Sequence, residues 1–188
     1  HDALPIFLEN VPGRRFIKSH LPLDGLPYYP EVKYVIVGRD CRDVFMSFYN
    51  HFSNYTDIAM DTFNAPGIVG DKLPRCPEDP RELWQDWITR GWFDWETEGY
   101  PFWANLGHTQ SYWEYRHLPN FYFMHYNDML SDLEGSVKGL ASFLGETPSP
   151  EHLAQVVENT TFKNVKANAA KMDKEGDPRG VVFKGGAE

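Results

Sequence analysis

Residues 33–52 read KYVIVGRDCRDVFMSFYNHF and decide the fold. The run from Tyr34 to Val37 is apolar, mostly β-branched and unbroken, which is typical of a strand buried on both faces of a parallel sheet. Gly38 ends the run, and Asp40 occupies the position of a helix N-cap before apolar residues that recur at spacings of three and four. The segment therefore predicts a strand that is followed at once by a helix, as in an α/β fold.

Arg39 and Ser47 occupy positions in this unit that suit ligand binding. Arg39 would lie at the carboxyl end of the strand, where open α/β sheets bind their ligands. Ser47 would lie two turns into the helix, and a guanidinium and a hydroxyl near a helix N-terminus form a good anion site. The alternative is that Arg39 merely pairs with Asp40 or Asp43 and that Ser47 has no binding role.

The composition limits the classes of protein to consider. A chain of 188 residues is long enough for one domain with a sizeable core, and 29 aromatic residues (6 Trp, 10 Tyr and 13 Phe) favour an ordered globular protein with an aromatic-lined pocket. The net charge of −9 argues against a general binder of nucleic acid or of anionic membranes. With only two cysteines, Cys41 and Cys76, no disulfide framework is implied, and we expect a reducing, cytoplasmic setting.

A second motif, KSHLP at residues 18–22, carries groups suited to proton transfer. We predict a short strand that includes Phe16 and Ile17, so that Lys18 and His20 point the same way. A histidine titrates near neutral pH and can remove a proton, and a nearby ammonium can stabilise developing negative charge. The alternative is a surface histidine that lies beside a surface lysine.

Together the two motifs resemble those of the cytosolic-type sulfotransferases, which use the donor 3′-phosphoadenosine 5′-phosphosulfate (PAPS). In that family a strand ends in Arg, and a Ser eight residues later shares the 3′-phosphate with it, a spacing that Arg39 and Ser47 reproduce. The family motif Lys-Thr-His-Leu-Pro matches residues 18–22 with only Thr changed to Ser. The resemblance implies that His20 is the general base and that Lys18 lies near the transferring group.

Two later segments extend the resemblance to the adenine site. Residues 120–126 (NFYFMHY) predict a second buried strand, and Tyr126 at its end matches the family Tyr that hydrogen-bonds the adenine. Residues 158–168 resemble the family's Thr-Ser-Phe segment, which implies that Thr160 and Phe162 flank the base.

The C-terminal residues 177–188 resemble the start of the family's Arg-Lys-Gly-x-x-Gly loop, which closes over the 3′-phosphate. Lys184 and Gly185 fit this motif and are further candidates for nucleotide binding. Phe183 stands where the family has Arg, and Arg179 is a candidate to supply the missing charge.

The middle of the chain predicts a long loop and two helices. Residues 54–80 contain prolines and glycines that favour a long loop, and the resemblance implies that this region caps the acceptor pocket, although a surface insertion is an equal alternative. Residues 81–91 and 106–116 predict helices. His108 in the second helix either faces the acceptor cavity or, as we favour, is a buried structural histidine.

The resemblance covers nearly the whole chain. It implies a single sulfotransferase domain over residues 1–188, with a three-layer α/β/α fold, a central parallel sheet and a P-loop NTPase-like architecture. The family's phosphosulfate-binding loop and the end of its C-terminal motif have no counterpart in this sequence, so we expect a domain that lacks the N-terminal strand with that loop and the C-terminal end.

The expected reaction is in-line transfer of a sulfuryl group from PAPS to a hydroxyl, or less favourably an amine, of a small-molecule, aromatic or lipid acceptor. Adenosine 3′,5′-bisphosphate (PAP) is the expected product. We expect no metal, since no His/Cys cluster has metal-ligand spacing. We expect no nucleic-acid partner because the net charge is −9. Two alternatives stay open, namely a nucleotide-binding protein without activity and a P-loop nucleoside or nucleotide kinase, which would need a Mg²⁺-binding acid and a Walker-type loop.

Overall fold

The computed structural model describes residues 12–68, 70–102 and 104–174, with side chains through residue 168. Within these ranges the chain forms a two-stranded parallel sheet with helices around it. The strands are β1 (Tyr34–Gly38) and β2 (Phe121–His125). The helices are α1 (Cys41–Ser53), α2 (Asp57–Phe63), α3 (Pro80–Thr89), α4 (Asn105–Trp113), α5 (Tyr126–Ser131), α6 (Leu133–Leu144), α7 (Pro150–Thr160) and α8 (Phe162–Lys174).

The two strands pair in parallel, from Tyr34 opposite Phe121 to Gly38 opposite His125. Helices α1 to α4 connect them, as a parallel pair requires, because the chain must return to the same end of the sheet before it enters the second strand. The carboxyl ends of both strands therefore meet at one edge. The prediction of an α/β fold with a parallel sheet is confirmed.

Helix α1 begins where the sequence predicts it. The carboxylate of Asp40 accepts a hydrogen bond from the backbone N–H of Arg42 at 2.9 Å and so satisfies an N–H that the first turn leaves unpaired. Phe45 and Phe52, two turns apart, are the buried residues of its inner face. The strand, the cap and the helix follow one another over 20 residues, as the local pattern indicates.

The prediction that β1 is buried on both faces is wrong. Ile36 is only 6% exposed, but Val35 and Val37 on the opposite face are 40% and 59% exposed. On that face α6 covers β2 rather than β1, and the ring of its Phe143 stacks on Tyr122 with centroids 5.0 Å apart. Within the described part of the chain, the outer face of β1 has no comparable cover.

The predicted strand around Phe16 and Ile17 is also absent, and the structure gives residues 12–22 no strand. Both side chains are more than three-quarters exposed. Without a paired neighbour an extended segment gains no ladder of hydrogen bonds. This segment is held instead by Arg14, whose guanidinium donates to the carbonyl of Leu144 at 2.9 Å and pairs with Glu146 at 2.7 Å.

Residues 54–80 are not one long loop, since they contain α2. The hydroxyl of Thr56 accepts from the backbone N–H of Ala59 at 3.2 Å and caps the helix. Ala59 and Met60 are each 4% exposed, because they pack into the hydrophobic core. A seven-residue helix gains its stability from such burial more than from its own propensity, which explains why the local pattern fails to predict it.

Two hydrophobic cores hold the described residues together. The larger lies between α1, α2 and α3, and α3 supplies its Leu83 and Trp87. The smaller lies between the sheet and α4 and contains the four buried residues Leu23, Ile36, Tyr112 and Phe121. Among the described helices, none has the length and apolarity needed to cross a bilayer.

Candidate active site

The carboxyl edge of the sheet brings together two residues that the sequence assigns to nucleotide binding. Because Gly38 pairs with His125, the residues that follow them, Arg39 and Tyr126, are neighbours at this edge. The guanidinium carbon of Arg39 lies over the ring of Tyr126, 4.7 Å from its centroid. That distance is within the range of a cation–π interaction.

The carboxylates nearby leave Arg39 largely available. Asp40 is taken by Arg42, whose guanidinium forms hydrogen bonds of 2.7 and 3.0 Å with it and holds the pKa of Asp40 well below its usual range. The Nε of Arg39 lies 3.9 Å from the carboxylate of Asp43, at the outer limit of an ion pair. Of the two pairings weighed for Arg39 from sequence, the one with Asp40 is therefore wrong and the one with Asp43 is loose.

Ser47 lies on the same side of α1 as Arg39. Asp43 and Ser47 are four residues apart in the helix and so share one face, and Arg39 approaches Asp43 from the N-terminal end. The Ser47 side chain is exposed. A guanidinium, a hydroxyl and the positive end of a helix dipole thus border one solvent-accessible surface, which suits an anion despite the carboxylate of Asp43.

The KSHLP segment, here called the strap (residues 18–22), is fastened to α4. The hydroxyl of Tyr112 donates to the carbonyl of Leu21 at 2.9 Å, and the backbone N–H of Leu23 donates to the hydroxyl of Ser111 at 3.0 Å. The Lys18 and His20 side chains are exposed. The strap is thus fixed by its backbone, and the two side chains proposed for chemistry face solvent.

His108 faces the strap from α4, one turn before Tyr112. Burial lowers its pKa, and the charge of the neighbouring His20 lowers it further, while a hydrogen bond with the backbone of Leu21 acts in the opposite direction. His108 is half-buried. His108 therefore contacts the strap. Because it is neither fully buried nor fully exposed, it matches neither the buried structural histidine nor the cavity-facing histidine that the sequence allows.

The segment between the strap and β1 packs against the sheet. Tyr28 stacks on Tyr34 at the amino end of β1, with centroids 5.8 Å apart. Leu23 packs in the same core as Ile36 in the middle of the strand. Leu23 shares that core with Phe121 at the amino end of β2 and with Tyr112 of α4.

Thr160 and Phe162, two further candidates among the described residues, do not contact Arg39 or Tyr126. The hydroxyl of Thr160 donates to the Val156 carbonyl of its own helix at 2.8 Å, and Phe162 is 74% exposed. No contact among the described residues links either of them to Arg39 or Tyr126. Lys184 and Gly185 lie outside the described residues.

Two cavities in the described chain lie elsewhere. One of about 520 Å³ lies between α6 and α7, and one of about 210 Å³ is lined by residues that include Phe52, Arg75 and Tyr100. None of the predicted site residues within the described ranges lines either cavity. The described residues contain no group of His, Cys, Asp and Glu side chains that could hold a metal ion.

Glu98 is a residue that sequence reasoning missed. Its carboxylate is 6% exposed and accepts from the backbone N–H groups of Asn105 at 3.0 Å and Gly107 at 2.9 Å. It thereby caps α4, whose own N-cap residue, Ala104, makes no side-chain hydrogen bond. Glu98 lies seven residues before Asn105, and no local sequence pattern predicts a helix cap at that separation. Only the tertiary fold identifies it.

Comparison with known proteins gives a consistent result. A profile of the family described as "Sulfotransferase domain" matches residues 5–180. A glycolipid sulfotransferase of Mycobacterium bovis (strain BCG / Pasteur 1173P2) is 29% identical over 174 residues, which are 85% of this chain and 53% of the relative. Sulfotransferase 1A1 of Rattus norvegicus is 29% identical over 164 residues, which are 86% of this chain and 48% of the relative.

Solved structures agree in fold. A crystal structure of retinol dehydratase in complex with androsterone and the inactive cofactor PAP has a TM-score of 0.67 and 27% identity, and it covers 96% of this chain and 47% of that one. Another complex of retinol dehydratase, with retinol and PAP, also has a TM-score of 0.67, with 28% identity. The chain thus spans about half the length of the proteins that it matches.

Proposed function

The chain belongs to the sulfotransferase domain family, and from this premise we propose that the protein transfers a sulfuryl group from PAPS to a hydroxyl of a lipid or another apolar alcohol. The observation that carries the proposal is the placement of Arg39 beside Tyr126 at the carboxyl edge of the sheet. The presence of PAP in two solved structures of the same fold supports the choice of nucleotide. The cytoplasmic setting expected from the sequence is part of the same proposal.

The donor side of the proposed site is an anion site. Arg39 offers a fork of in-plane N–H donors that matches a phosphate, and Ser47 adds a hydroxyl from the same side of α1. Together they would hold the 3′-phosphate, which distinguishes PAPS from plain adenosine phosphosulfate. Tyr126 lies beside them at the position proposed for the adenine, and Thr160, Phe162, Lys184 and Gly185 remain proposed members of the nucleotide site.

The chemical step is assigned to the strap. His20 accepts the proton of the acceptor hydroxyl while that oxygen bonds to the sulfur of the donor. The bond between sulfur and the bridging phosphate oxygen breaks on the opposite side, and its electron pair leaves with PAP. Lys18 stabilises the negative charge that develops on this oxygen.

The relatives support the choice of acceptor class. Two mycobacterial relatives are named glycolipid sulfotransferases, and the solved neighbours contain androsterone or retinol. These ligands are apolar molecules that carry a hydroxyl. We therefore propose a lipid or another apolar alcohol as the acceptor and place amines second.

The test is transfer of ³⁵S from labelled PAPS to a panel of glycolipid, sterol, retinoid and phenol acceptors by the intact protein. We expect labelled product with at least one acceptor, and we expect His20→Ala to abolish turnover while the affinity for PAP survives, because the variant removes only the base. His117→Ala, which alters an exposed histidine in the turn before β2, is the matched control.

Three outcomes would contradict the proposal. Full turnover by His20→Ala would refute the assignment of the base. Binding of PAP without transfer to any acceptor would indicate a nucleotide-binding protein without activity. Transfer of ³²P from ATP together with failure to bind PAP would indicate a kinase.

A further inference from the structure

The pair formed by Arg39 and Tyr126 suggests a role for Tyr126 beyond the adenine contact that the family resemblance assigns to it. We propose that the Tyr126 ring is a positioning platform that orients the Arg39 guanidinium toward a ribose 3′-phosphate. Tyr126 would thereby set the preference of the site for a 3′,5′-bisphosphate over a 5′-monophosphate. This inference rests on the proposed function and deepens its account of nucleotide selection.

The geometry favours the ring as the group that orients Arg39. The guanidinium carbon lies 4.7 Å from the Tyr126 ring centroid, and Tyr126 is half-buried at the junction of β2 and α5. Its backbone is fixed on one side by strand pairing and on the other by the helix. The ring is therefore a firmly placed surface beside a longer and more flexible side chain.

The nearby carboxylates cannot orient Arg39 equally well. Asp43 approaches only to 3.9 Å, and its side chain is 54% exposed. Asp40 already accepts two side-chain hydrogen bonds from Arg42. The half-buried ring is thus a more firmly held neighbour of the guanidinium than the exposed carboxylate of Asp43.

An aromatic platform also has a functional advantage over a carboxylate. A carboxylate would occupy the N–H donors of Arg39 and would repel an incoming phosphate. A ring contacts the face of the guanidinium and leaves its in-plane donors available. Arg39 is consequently oriented without being neutralised.

Two substitutions separate this role from a hydrogen bond between the Tyr126 hydroxyl and the adenine. Tyr126→Phe keeps the ring and removes the hydroxyl, while Tyr126→Leu removes both. If the ring positions Arg39, selectivity for the 3′-phosphate depends on the ring and not on the hydroxyl. If Tyr126 only binds adenine, both nucleotides lose affinity together and their ratio stays constant.

The experiment is calorimetric titration of the intact protein with PAP and with adenosine 5′-monophosphate. The ratio to compare is the dissociation constant for adenosine 5′-monophosphate divided by that for PAP. It should stay within about twofold of the wild-type value in Tyr126→Phe and fall about three- to tenfold in Tyr126→Leu, the range expected for a lost cation–π contact. In an Arg39→Ala background, Tyr126→Leu should change the ratio no further, since the two residues act as one unit. Far-UV circular dichroism checks that each variant is folded, and Tyr126→Met replaces Tyr126→Leu if the latter unfolds.

The outcomes distinguish this inference from the proposed function. An unchanged ratio of dissociation constants in the folded Tyr126→Leu or Tyr126→Met variant would overturn the positioning role while leaving the nucleotide site intact. A fall of this ratio in Tyr126→Phe as large as that in Tyr126→Leu would do the same. A wild-type protein that shows no preference for PAP would overturn the proposed function itself.

Discussion

At the scale of single residues, the site depends on which partner each charged group takes. Asp40 is next to Arg39 in the sequence and two residues before Arg42. The geometry at the start of α1 determines that it pairs with Arg42. The carboxylate turns toward the backbone N–H of Arg42 to cap the helix and meets the Arg42 guanidinium there. Arg39 is left to the Tyr126 ring. A helix cap thus determines, through one carboxylate, that the neighbouring arginine remains available for an anion.

The Tyr112 hydroxyl is one of the groups that fasten the strap, which carries the proposed base. Tyr112→Phe removes the hydrogen bond to the Leu21 carbonyl and keeps the buried ring. A hydrogen bond of this kind contributes about 1 kcal/mol, so we expect kcat for sulfuryl transfer to fall on the order of fivefold while the affinity for PAP is unchanged. Steady-state kinetics and calorimetry provide the two measurements.

Tyr115→Phe, at a partly exposed tyrosine just after α4, is the matched control for that variant. An unchanged kcat in Tyr112→Phe would show that the position of the strap does not depend on this hydroxyl.

At the scale of elements, α4 is the support on which the strap lies. Its C-terminal half provides Ser111 and Tyr112, and its N-terminal end is capped by the buried carboxylate of Glu98. The sequence predicts α4 itself from its local pattern, but it does not predict the cap, because Glu98 reaches the helix through tertiary folding of the connector. The strap thus lies on a helix whose cap is a residue far from it in the sequence.

Removal of the Glu98 carboxylate should destabilise the protein. Glu98→Ala leaves the N–H groups of Asn105 and Gly107 without their acceptor, and we expect a loss of about 1–3 kcal/mol in the free energy of unfolding. Glu98→Gln keeps one oxygen acceptor and should lose less. Urea unfolding monitored by tryptophan fluorescence measures both.

Glu114→Gln, an exposed change just beyond the same helix, should stay within about 0.5 kcal/mol of the wild type. If Glu98→Ala is as stable as this control, Glu98 has no capping role.

At the scale of the whole molecule, local sequence patterns predict the helices and strands better than they predict which distant residues pack against them. The strand–helix unit from Tyr34 to Ser53 follows from apolar runs and a cap, which act within a few residues. The exposure of Val37 and the existence of α2 depend on which distant elements pack against them, so the same patterns give the wrong answer. The contact between Arg39 and Tyr126 likewise depends on tertiary structure, because it requires two parallel strands to share an edge.

Each of the two cores carries a histidine at its margin, and both should make stability depend on pH. Burial lowers the pKa of His51, which contacts the Tyr55 hydroxyl at 3.1 Å, and it lowers the pKa of His108. The folded state therefore favours the neutral rings, while the unfolded chain binds protons near pH 6.5. The free energy of unfolding should be highest above pH 6.5 and should fall as the pH drops toward the lowered folded values.

Urea unfolding at pH 7.5, 6.5 and 5.5 measures this decline. His108→Gln should remove part of it and leave the part due to His51. The carboxylates with lowered pKa, such as Asp79, lose their contribution only in a more acidic window, as the pH falls toward and below the ordinary carboxyl value of 3.8. A stability that is constant or rises from pH 7.5 to 5.5 would contradict the assignment of neutral, partly buried histidines.

The central claim is that the carboxyl edge of the sheet recognises a nucleotide 3′-phosphate through Arg39. Calorimetric titration of the intact wild-type protein and of Arg39→Ala with PAP and adenosine 5′-monophosphate tests it directly. Arg81→Ala is the matched control, because Arg81 pairs with the cap residue of α3 as Arg42 pairs with that of α1. We predict that the wild type and the control prefer PAP and that Arg39→Ala loses about 1.5–3 kcal/mol of PAP binding, as for a hydrogen bond to a charged group. Equal affinity of the wild type and Arg39→Ala for PAP would contradict the claim.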